Sequence, residues 1–151
     1  MSQVRKARIS DIKYIHSSLN NFAKKGLTLP RSLNELYEHL RDFYIFEDDD
    51  SILGYSALHL IWEDIGEIRS LFVSDEARGH GIGKKLVKRC LKEAKHLGLK
   101  KVFALTYVPD FFKKIGFNDI EKSELPHKIW SDCLNCPKFP DCDEVAVIIG
   151  L

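Results

Sequence analysis

A chain of 151 residues with 44% hydrophobic and 30% charged residues has the composition of one globular domain that can bury a sizeable core. Its formal net charge of +1 argues against a global attraction to nucleic acid or to an anionic membrane. No apolar run approaches the length of a membrane span, and the N-terminal residues lack the core of a signal peptide. We therefore expect a single cytoplasmic domain over residues 1–151, with its cysteines reduced.

Local signals predict an alternation of strands and helices along the chain. Ser32 and Glu35 have the spacing of a capping box at a helix start. Pro109 suits a first helical turn, whereas Gly98 and Gly116 are placed to end helices. The predicted strands are residues 4–9, 43–47, 51–62, 66–74, 101–107 and 143–151, and the predicted helices are residues 10–19, 32–41, 83–97 and 109–115.

The order of these elements is β, α, α, β, β, β, α, β, α, an irregular segment and β. Residues 47–50, the acidic run EDDD, read as a solvated turn that joins two strands into a hairpin. An order of this kind predicts an α/β (α+β) fold with a mixed sheet and helices on its faces.

Residues 78–85, RGHGIGKK, lie between a predicted strand and a long predicted helix. Gly79, Gly81 and Gly83 would let an anion approach the unpaired amides at the helix start, and Lys84 and Lys85 add positive charge. The alternative is a tight turn beside a solvated lysine face. The spacing fits neither the P-loop nor the full dinucleotide-binding fingerprint.

The segment RGHGIG resembles the Arg-x-x-Gly-x-Gly motif of the GNAT superfamily of N-acetyltransferases. The preceding IRSLFV resembles the fourth strand of that family, and FFKKIGF at residues 111–117 resembles its second signature. The resemblance implies a mixed, twisted sheet of about six to seven strands, splayed between strands 4 and 5. It also implies acetyl-CoA as co-substrate, bound by Leu71, Phe72, Val73, Arg78, Gly79, His80, Gly81, Ile82, Gly83 and Lys84.

A closer resemblance covers residues 29–43, 67–73, 103–117 and 125–146. These segments are similar to the amino-acid acetyltransferase domain of N-acetylglutamate synthase in its short, single-domain form. The resemblance implies acetyl transfer to the α-amino group of L-glutamate, in arginine biosynthesis. No segment resembles an amino-acid-kinase domain, so we expect no arginine feedback through one. The alternatives are another small amine or a protein amine as acceptor, and an inactive sensor that only binds acetyl-CoA.

The resemblance also suggests catalytic residues. Glu67 matches the carboxylate that serves as general base, and its alternative is a solvated carboxylate on an edge strand. Phe112 stands where the family usually has a proton-donating tyrosine, so Tyr107, Thr106 or water must replace it. Tyr107 is equally compatible with a partly buried aromatic at a strand end.

Arginines suit a dicarboxylate acceptor because the guanidinium group binds carboxylates in a two-pronged way. Arg31 matches a substrate-binding arginine of the glutamate acetyltransferases, and Arg69 is a second candidate. Their alternatives are a surface residue and a cross-strand salt bridge, respectively. Lys128 is a weaker third cation. Simple alternation places Glu67 and Arg69 on one face with Leu71 and Val73, although a bulge, common in this family, would shift that register.

Three cysteines, Cys133, Cys136 and Cys142, lie in a loop at about residues 126–143. The first pair has the spacing of zinc ligands, with His127, Asp132 or Asp143 as candidate fourth ligands. We do not assign a metal, because reduced loop cysteines or a redox-sensitive pair explain the same pattern. Cys90 lies on the apolar stripe of the helix from Gly83 and is expected to be a small core residue.

The expected partners are therefore acetyl-CoA and a small amino-acid acceptor, without nucleic acid or membrane. A zinc-dependent nucleic-acid module would rest on the cysteines alone, since no basic and aromatic patch accompanies them. The sequence leaves a homodimer open.

Overall fold

The computed structural model describes residues 2–24, 31–125 and 144–151. Its strands form one mixed sheet in the order β1-β2-β3-β4-β5-β7-β6. The strands are β1 (Ser2–Lys6), β2 (Phe43–Asp48), β3 (Ser51–Leu60), β4 (Ile65–Val73), β5 (Lys101–Thr106), β6 (Asn118–Ile120) and β7 (Val145–Gly150). The helices are α1 (Ile12–Lys24), α2 (Leu33–Glu38), α3 (Ile82–Leu97) and α4 (Pro109–Lys113).

The predicted fold class is confirmed. Strands β4 and β5 pair in parallel, whereas β1 with β2, β2 with β3, β5 with β7 and β6 with β7 pair antiparallel. The acidic hairpin turn is confirmed too, with Asp49 and Asp50 at φ 48° and 67°. Strand β6 was not predicted, because its three residues are too few to show an alternation. Among the described residues, no helix combines the length and the apolar character that crossing a membrane requires.

Several predicted boundaries are wrong by a few residues. Strand β1 ends at Lys6 rather than Ile9, because residues 9–11 form a single 3-10 turn in which Asp11 accepts a hydrogen bond of 2.7 Å from the Arg8 amide. Helix α1 continues past residue 19 to Lys24. Helix α2 ends before residue 41 because a separate 3-10 turn covers residues 40–42. Strand β3 stops at Leu60, and β5 and α4 each end before the predicted residue.

The first of two compact units comprises Met1–Leu58 and Ser70–Cys90. Its core joins the apolar face of α1 to aromatic residues of the sheet. Ile12, Ile15 and Leu19 are at most 2% exposed and belong to one cluster with Phe43, Tyr55 and Phe72. These three residues of α1 are spaced three to four positions apart, so the helix buries a single face.

The second unit comprises His59–Arg69 and Leu91–Leu151. Strand β5 pairs with β7 over six residues, from Lys101 opposite Gly150 to Thr106 opposite Val145. It pairs with β4 over only three, ending where Glu67 lies opposite Phe103. Within the described part of this unit, Ala104–Thr106 therefore pair with β7 on one side but with no strand on the side that faces β4. This arrangement fits the expected splay of strands 4 and 5.

The stripe predicted for α3 is buried except at its last position. Cys90 and Ala94 are fully buried, whereas Leu97 is 51% exposed. Gly98, at φ 89°, reverses the chain, and the amide of Leu99 then donates a hydrogen bond of 3.0 Å to the carbonyl of Ala94. Leu97 has the helical spacing of the apolar stripe, but Leu99 is buried in its place.

Gly54 in β3 is required by close packing within the first unit. A Cβ built there would lie 2.6 Å from the carbonyl oxygen of Phe72 and 3.2–3.3 Å from side-chain atoms of Ile82 and Leu86. We expect Gly54→Ala to lower the free energy of unfolding by about 1–3 kcal/mol, since backbone must move to admit the methyl group. Urea unfolding followed by circular dichroism measures this. The matched control is Gly150→Ala, where nothing lies within 4 Å of the added Cβ. An equal effect at both positions would contradict the explanation.

Cys90 is the core residue that the sequence predicted. It is 0% exposed, and burial raises the pKa of its thiol to about 12. Because the thiolate is the reactive form, we expect Cys90 to resist iodoacetamide at pH 8 in the folded protein and to react in urea. Mass spectrometry of the Cys90 peptide distinguishes it from the other cysteines. Equal alkylation rates in the two states would contradict the burial.

Candidate active site

The glycine turn between β4 and α3 has the backbone conformation that glycine favours. Gly79 and Gly81 have φ values of 83° and 76°, in the left-handed region. Among the described residues, nothing would lie within 4 Å of a Cβ added at either position, so packing against those residues does not require these glycines. Residues 78–81 are exposed, and the turn therefore presents open backbone to solvent.

Helix α3 begins directly after this turn and runs for 16 residues. The amide of Lys85 donates to the carbonyl of Gly81 at 3.1 Å, as in a regular helix. The amides of Ile82, Gly83 and Lys84 precede that bond and belong to the first turn, where amides lack a helical partner and the helix dipole is positive. Open glycine backbone and a positive helix end together suit the binding of an anion such as a phosphate group.

Arg78 lies on the outside of the same turn. Its Nη2 is 3.3 Å from Oδ1 of Asp75, and the two side chains are 58% and 88% exposed. An ion pair this exposed contributes little to stability, because water screens it and both side chains lose freedom. The Arg78 guanidinium can therefore be redirected toward a ligand at small cost.

The second half of β4 is anchored by one aromatic side chain. Phe72 is 9% exposed, and its ring stacks on that of Tyr55 at 4.9 Å and contacts the edge of Tyr14 at 6.3 Å. Leu71 and Val73 on either side are half-buried. The three strand residues that the resemblance assigns to acetyl-CoA binding thus lie on a segment whose position is fixed by an aromatic core contact.

Ser70 interrupts β4 between its two halves. Its φ of 55° is in the left-handed region, which is uncommon for a residue other than glycine. Simple alternation therefore does not extend across Ser70, and the face of Leu71 and Val73 cannot be assigned from that of Glu67 by counting residues. The irregularity that the family resemblance implied is present in this strand.

Glu67 and Arg69, in the first half of β4, form a short ion pair. The Nε atom of Arg69 donates to Oε1 of Glu67 at 2.6 Å, and the side chains are 16% and 9% exposed, respectively. The alternative of a solvated edge carboxylate is wrong, since Glu67 is buried and β4 is an interior strand. Arg69 forms a salt bridge with Glu67, which lies two residues before it on the same strand. The predicted common face of these two residues is confirmed by their contact.

Thr106 and Tyr107 lie at the end of β5. The Oγ1 atom of Thr106 accepts a hydrogen bond of 2.9 Å from the amide of Val108, so its hydroxyl hydrogen is available to a further acceptor. Tyr107 is half-buried, and its hydroxyl oxygen is buried. Both hydroxyl groups are compatible with the donor role predicted for them.

Phe112, at the usual tyrosine position, is part of an aromatic cluster. It is 3% exposed, and its ring packs edge-on against Phe111 and Phe117 at 5.0 and 5.1 Å. It has no proton to donate, so a donor must come from elsewhere in the chain or from water.

Arg31 lies directly before Ser32, whose hydroxyl caps α2 by accepting from the Glu35 amide at 3.1 Å. The side-chain amide of Asn20, in α1, bonds to both main-chain groups of Arg31. Its Oδ1 accepts from the Arg31 amide at 3.1 Å, and its Nδ2 donates to the Arg31 carbonyl at 3.2 Å. The guanidinium Nη1 lies 3.5 Å from Oε2 of Glu35.

Three residues with a structural role were not singled out from the sequence, namely Asn20, Ser70 and Gly54. Nothing in the sequence marks Asn20, because a polar residue near the end of an amphipathic helix is ordinary. Nothing marks Ser70 either, since serine is not a typical left-handed residue. Gly54 had a signal, because an isolated glycine in a strand pattern indicates close approach of another backbone. The remaining predicted residues lie outside the described ranges, namely His127, Lys128, Asp132, Cys133, Cys136, Cys142 and Asp143.

Comparison with known proteins indicates the same family as the motifs in the sequence. The model of the acetyltransferase (GNAT) family matches residues 12–117. An N-acetyltransferase of uncharacterized activity from Chlorobaculum tepidum is 39% identical over 145 residues, which cover 96% of this chain and 94% of the relative. An amino-acid acetyltransferase of Mycobacterium tuberculosis is 38% identical over 132 residues, covering 85% of this chain and 75% of the relative.

A solved structure extends the likeness to the whole chain. The N-acetylglutamate synthase of Neisseria gonorrhoeae, in complex with coenzyme A and N-acetyl-glutamate, superposes with a TM-score of 0.90 at 27% sequence identity. The match covers all of this chain but 35% of that one, so the likeness concerns only part of the larger protein.

Proposed function

We propose, from the premise that this chain belongs to the acetyltransferase (GNAT) family, that it transfers the acetyl group of acetyl-CoA to the α-amino group of L-glutamate. Family membership and the amino-acid acetyltransferase relatives support an acetyl-CoA-dependent acyltransferase that acts on an amino acid. The choice of glutamate as that amino acid is supported by the likeness to a synthase bound to N-acetyl-glutamate. The reaction would belong to arginine biosynthesis, in the cytoplasm.

The observation that carries the proposal is the open glycine turn at the start of α3. In the proposed complex, the diphosphate of the coenzyme lies on the amides of residues 80–84, with Gly79 and Gly81 keeping side chains out of its way. Lys84 and the weakly held Arg78 add positive charge. The pantetheine arm pairs with the backbone of residues 71–73. Acetyl-CoA supplies the thioester carbon that the amine attacks.

Glu67 is the proposed general base. The ammonium group of the acceptor must lose a proton before its nitrogen can form the new amide bond, and a buried, oriented carboxylate can accept that proton. Arg69 holds the carboxylate at 2.6 Å and thereby fixes its orientation. The departing thiolate receives a proton from the hydroxyl of Thr106 or Tyr107.

The proposed acceptor has two carboxylates, and the chain offers arginines for them. Arg31 is bound by Glu35 through a long contact of 3.5 Å to a side chain that is 48% exposed. Giving up this contact costs little because Glu35 is largely solvated, and the two-pronged geometry of guanidinium favours a substrate carboxylate. Arg69 can contribute a second contact while it remains paired with Glu67, because a guanidinium group carries five donors.

An acceptor panel tests the proposal. Purified protein is incubated with acetyl-CoA and, separately, with L-glutamate, D-glutamate, L-glutamine, L-aspartate and a lysine peptide, and acetylated products are quantified by mass spectrometry. We expect N-acetyl-L-glutamate to form with the highest kcat/KM. Preferred turnover of another amine would refute glutamate while leaving the acetyltransferase intact. Tight binding of acetyl-CoA without turnover on any amine would indicate a sensor and refute the enzyme.

A further inference from the structure

We infer that Asn20 is a positioning residue for the acceptor, acting through Arg31, and this inference rests on the proposed role of Arg31. The two residues are 11 positions apart in the chain, yet the side chain of Asn20 forms hydrogen bonds with both the amide and the carbonyl of Arg31. A side-chain amide suits this task because it both donates and accepts.

These two hydrogen bonds, here called the Asn20 clamp, tie the main chain of Arg31 to helix α1 of the first unit. Asn20 lies in α1 directly after Leu19, which is 2% exposed and belongs to the cluster that also holds Ile12 and Ile15. The packing of Leu19 therefore holds the main chain of Asn20 in place, and with it the start of the Asn20 side chain. Through it, the main chain of Arg31 is held relative to α1, while the capping contact of Ser32 fixes the start of α2 on its other side.

The main chain of Arg31 sets where its guanidinium group can reach. Nη1 lies 3.5 Å from Oε2 of Glu35, so the side chain extends along the start of α2. A shift of the Arg31 main chain therefore carries the guanidinium group with it. Two-pronged binding of a carboxylate tolerates only small displacements, so release of the clamp weakens acceptor binding without touching the acceptor.

Steady-state kinetics of Asn20→Ala tests this. Two lost hydrogen bonds of ordinary net strength correspond to about a 30-fold change in an equilibrium constant, and we expect the KM for L-glutamate to rise by about 10- to 30-fold. The KM for acetyl-CoA should stay within about twofold, because the clamp lies outside the glycine turn. Asn20→Asp should give an intermediate increase, since it can still accept from the Arg31 amide but cannot donate to the carbonyl.

Asn21→Ala is the matched control. Asn20 and Asn21 line the same surface depression of about 480 Å³, but the side chain of Asn21 makes no hydrogen bond to the residues that the structure describes. Its KM values should equal those of the wild type. An equal rise in the KM for glutamate at both positions would overturn the inference, because the depression rather than the clamp would then be responsible.

A double-variant cycle separates positioning from stability. In an Arg31→Ala background the main-chain clamp persists, so Asn20→Ala should still lower the unfolding temperature but should raise the KM for glutamate no further. A further rise would overturn action through Arg31. If Arg31→Ala raises that KM and Asn20→Ala alone does not, the inference fails and the proposed function stands. If Arg31→Ala itself leaves the KM unchanged, the proposed role of Arg31 fails, and the inference fails with it.

Discussion

Gly81→Glu is expected to raise the dissociation constant for acetyl-CoA by at least about 100-fold. The substitution places a negative charge where the coenzyme diphosphate should lie, and like charges a few ångströms apart near a protein surface repel by roughly 4 kcal/mol. It also forces a side chain into a φ of 76°, which costs about 1–2 kcal/mol for residues other than glycine. Isothermal titration calorimetry with acetyl-CoA measures the loss.

Gly98→Glu is the control for backbone strain. Gly98 has a similar φ of 89°, lies at the opposite end of the same helix and also has nothing within 4 Å of an added Cβ. Gly98→Glu should therefore introduce a similar backbone strain but leave the affinity for acetyl-CoA unchanged. Gly81→Asn, which introduces a neutral side chain that tolerates this conformation, should lose much less affinity than Gly81→Glu. Unchanged binding by Gly81→Glu would remove the basis of the whole functional assignment.

Glu67→Gln is expected to lower kcat by about 10²- to 10⁴-fold near neutral pH, the usual contribution of a general base. The loss should shrink as the pH rises, because a growing fraction of the acceptor amine is then already deprotonated. Glutamine has nearly the same size and can still accept a hydrogen bond from the Nε atom of Arg69, so the fold should be retained. A pH–rate profile of kcat and kcat/KM from pH 6 to 10 gives the measurement.

Glu47→Gln is the matched control for removing a paired carboxylate from a strand. Oε2 of Glu47, in β2, lies 2.9 Å from Nε of Arg5, and no role in the reaction is proposed for either residue. This variant should keep the wild-type profile. A loss in Glu67→Gln that does not vary with pH, accompanied by a lower unfolding temperature, would instead indicate that Glu67 serves only to pair Arg69.

The order and type of the larger elements could be read from local patterns because the signals lie within a few residues of each other. The apolar spacing in α1 and α3, the Ser32 cap and Gly98 all act over one or two helical turns, and the structure uses each of them. The boundaries differ where a contact outside the pattern intervenes. The turn that ends β1 early depends on Asp11, which is buried because Arg5 donates to it at 2.8 and 3.0 Å.

The glycine turn could be predicted from neighbouring residues alone, since Gly79 and Gly81 meet the local requirement of a left-handed backbone beside a helix start. The surroundings of the acidic and basic side chains depend instead on how the chain packs. Alternation placed Glu67 beside Arg69, but Glu67 is buried because β4 is an interior strand. Arg31 is held by Asn20 because α1 packs against the segment that leads into α2. The burial depends on neighbouring strands and the Asn20 contact joins residues 11 positions apart, so no pattern of adjacent residues encodes either of them.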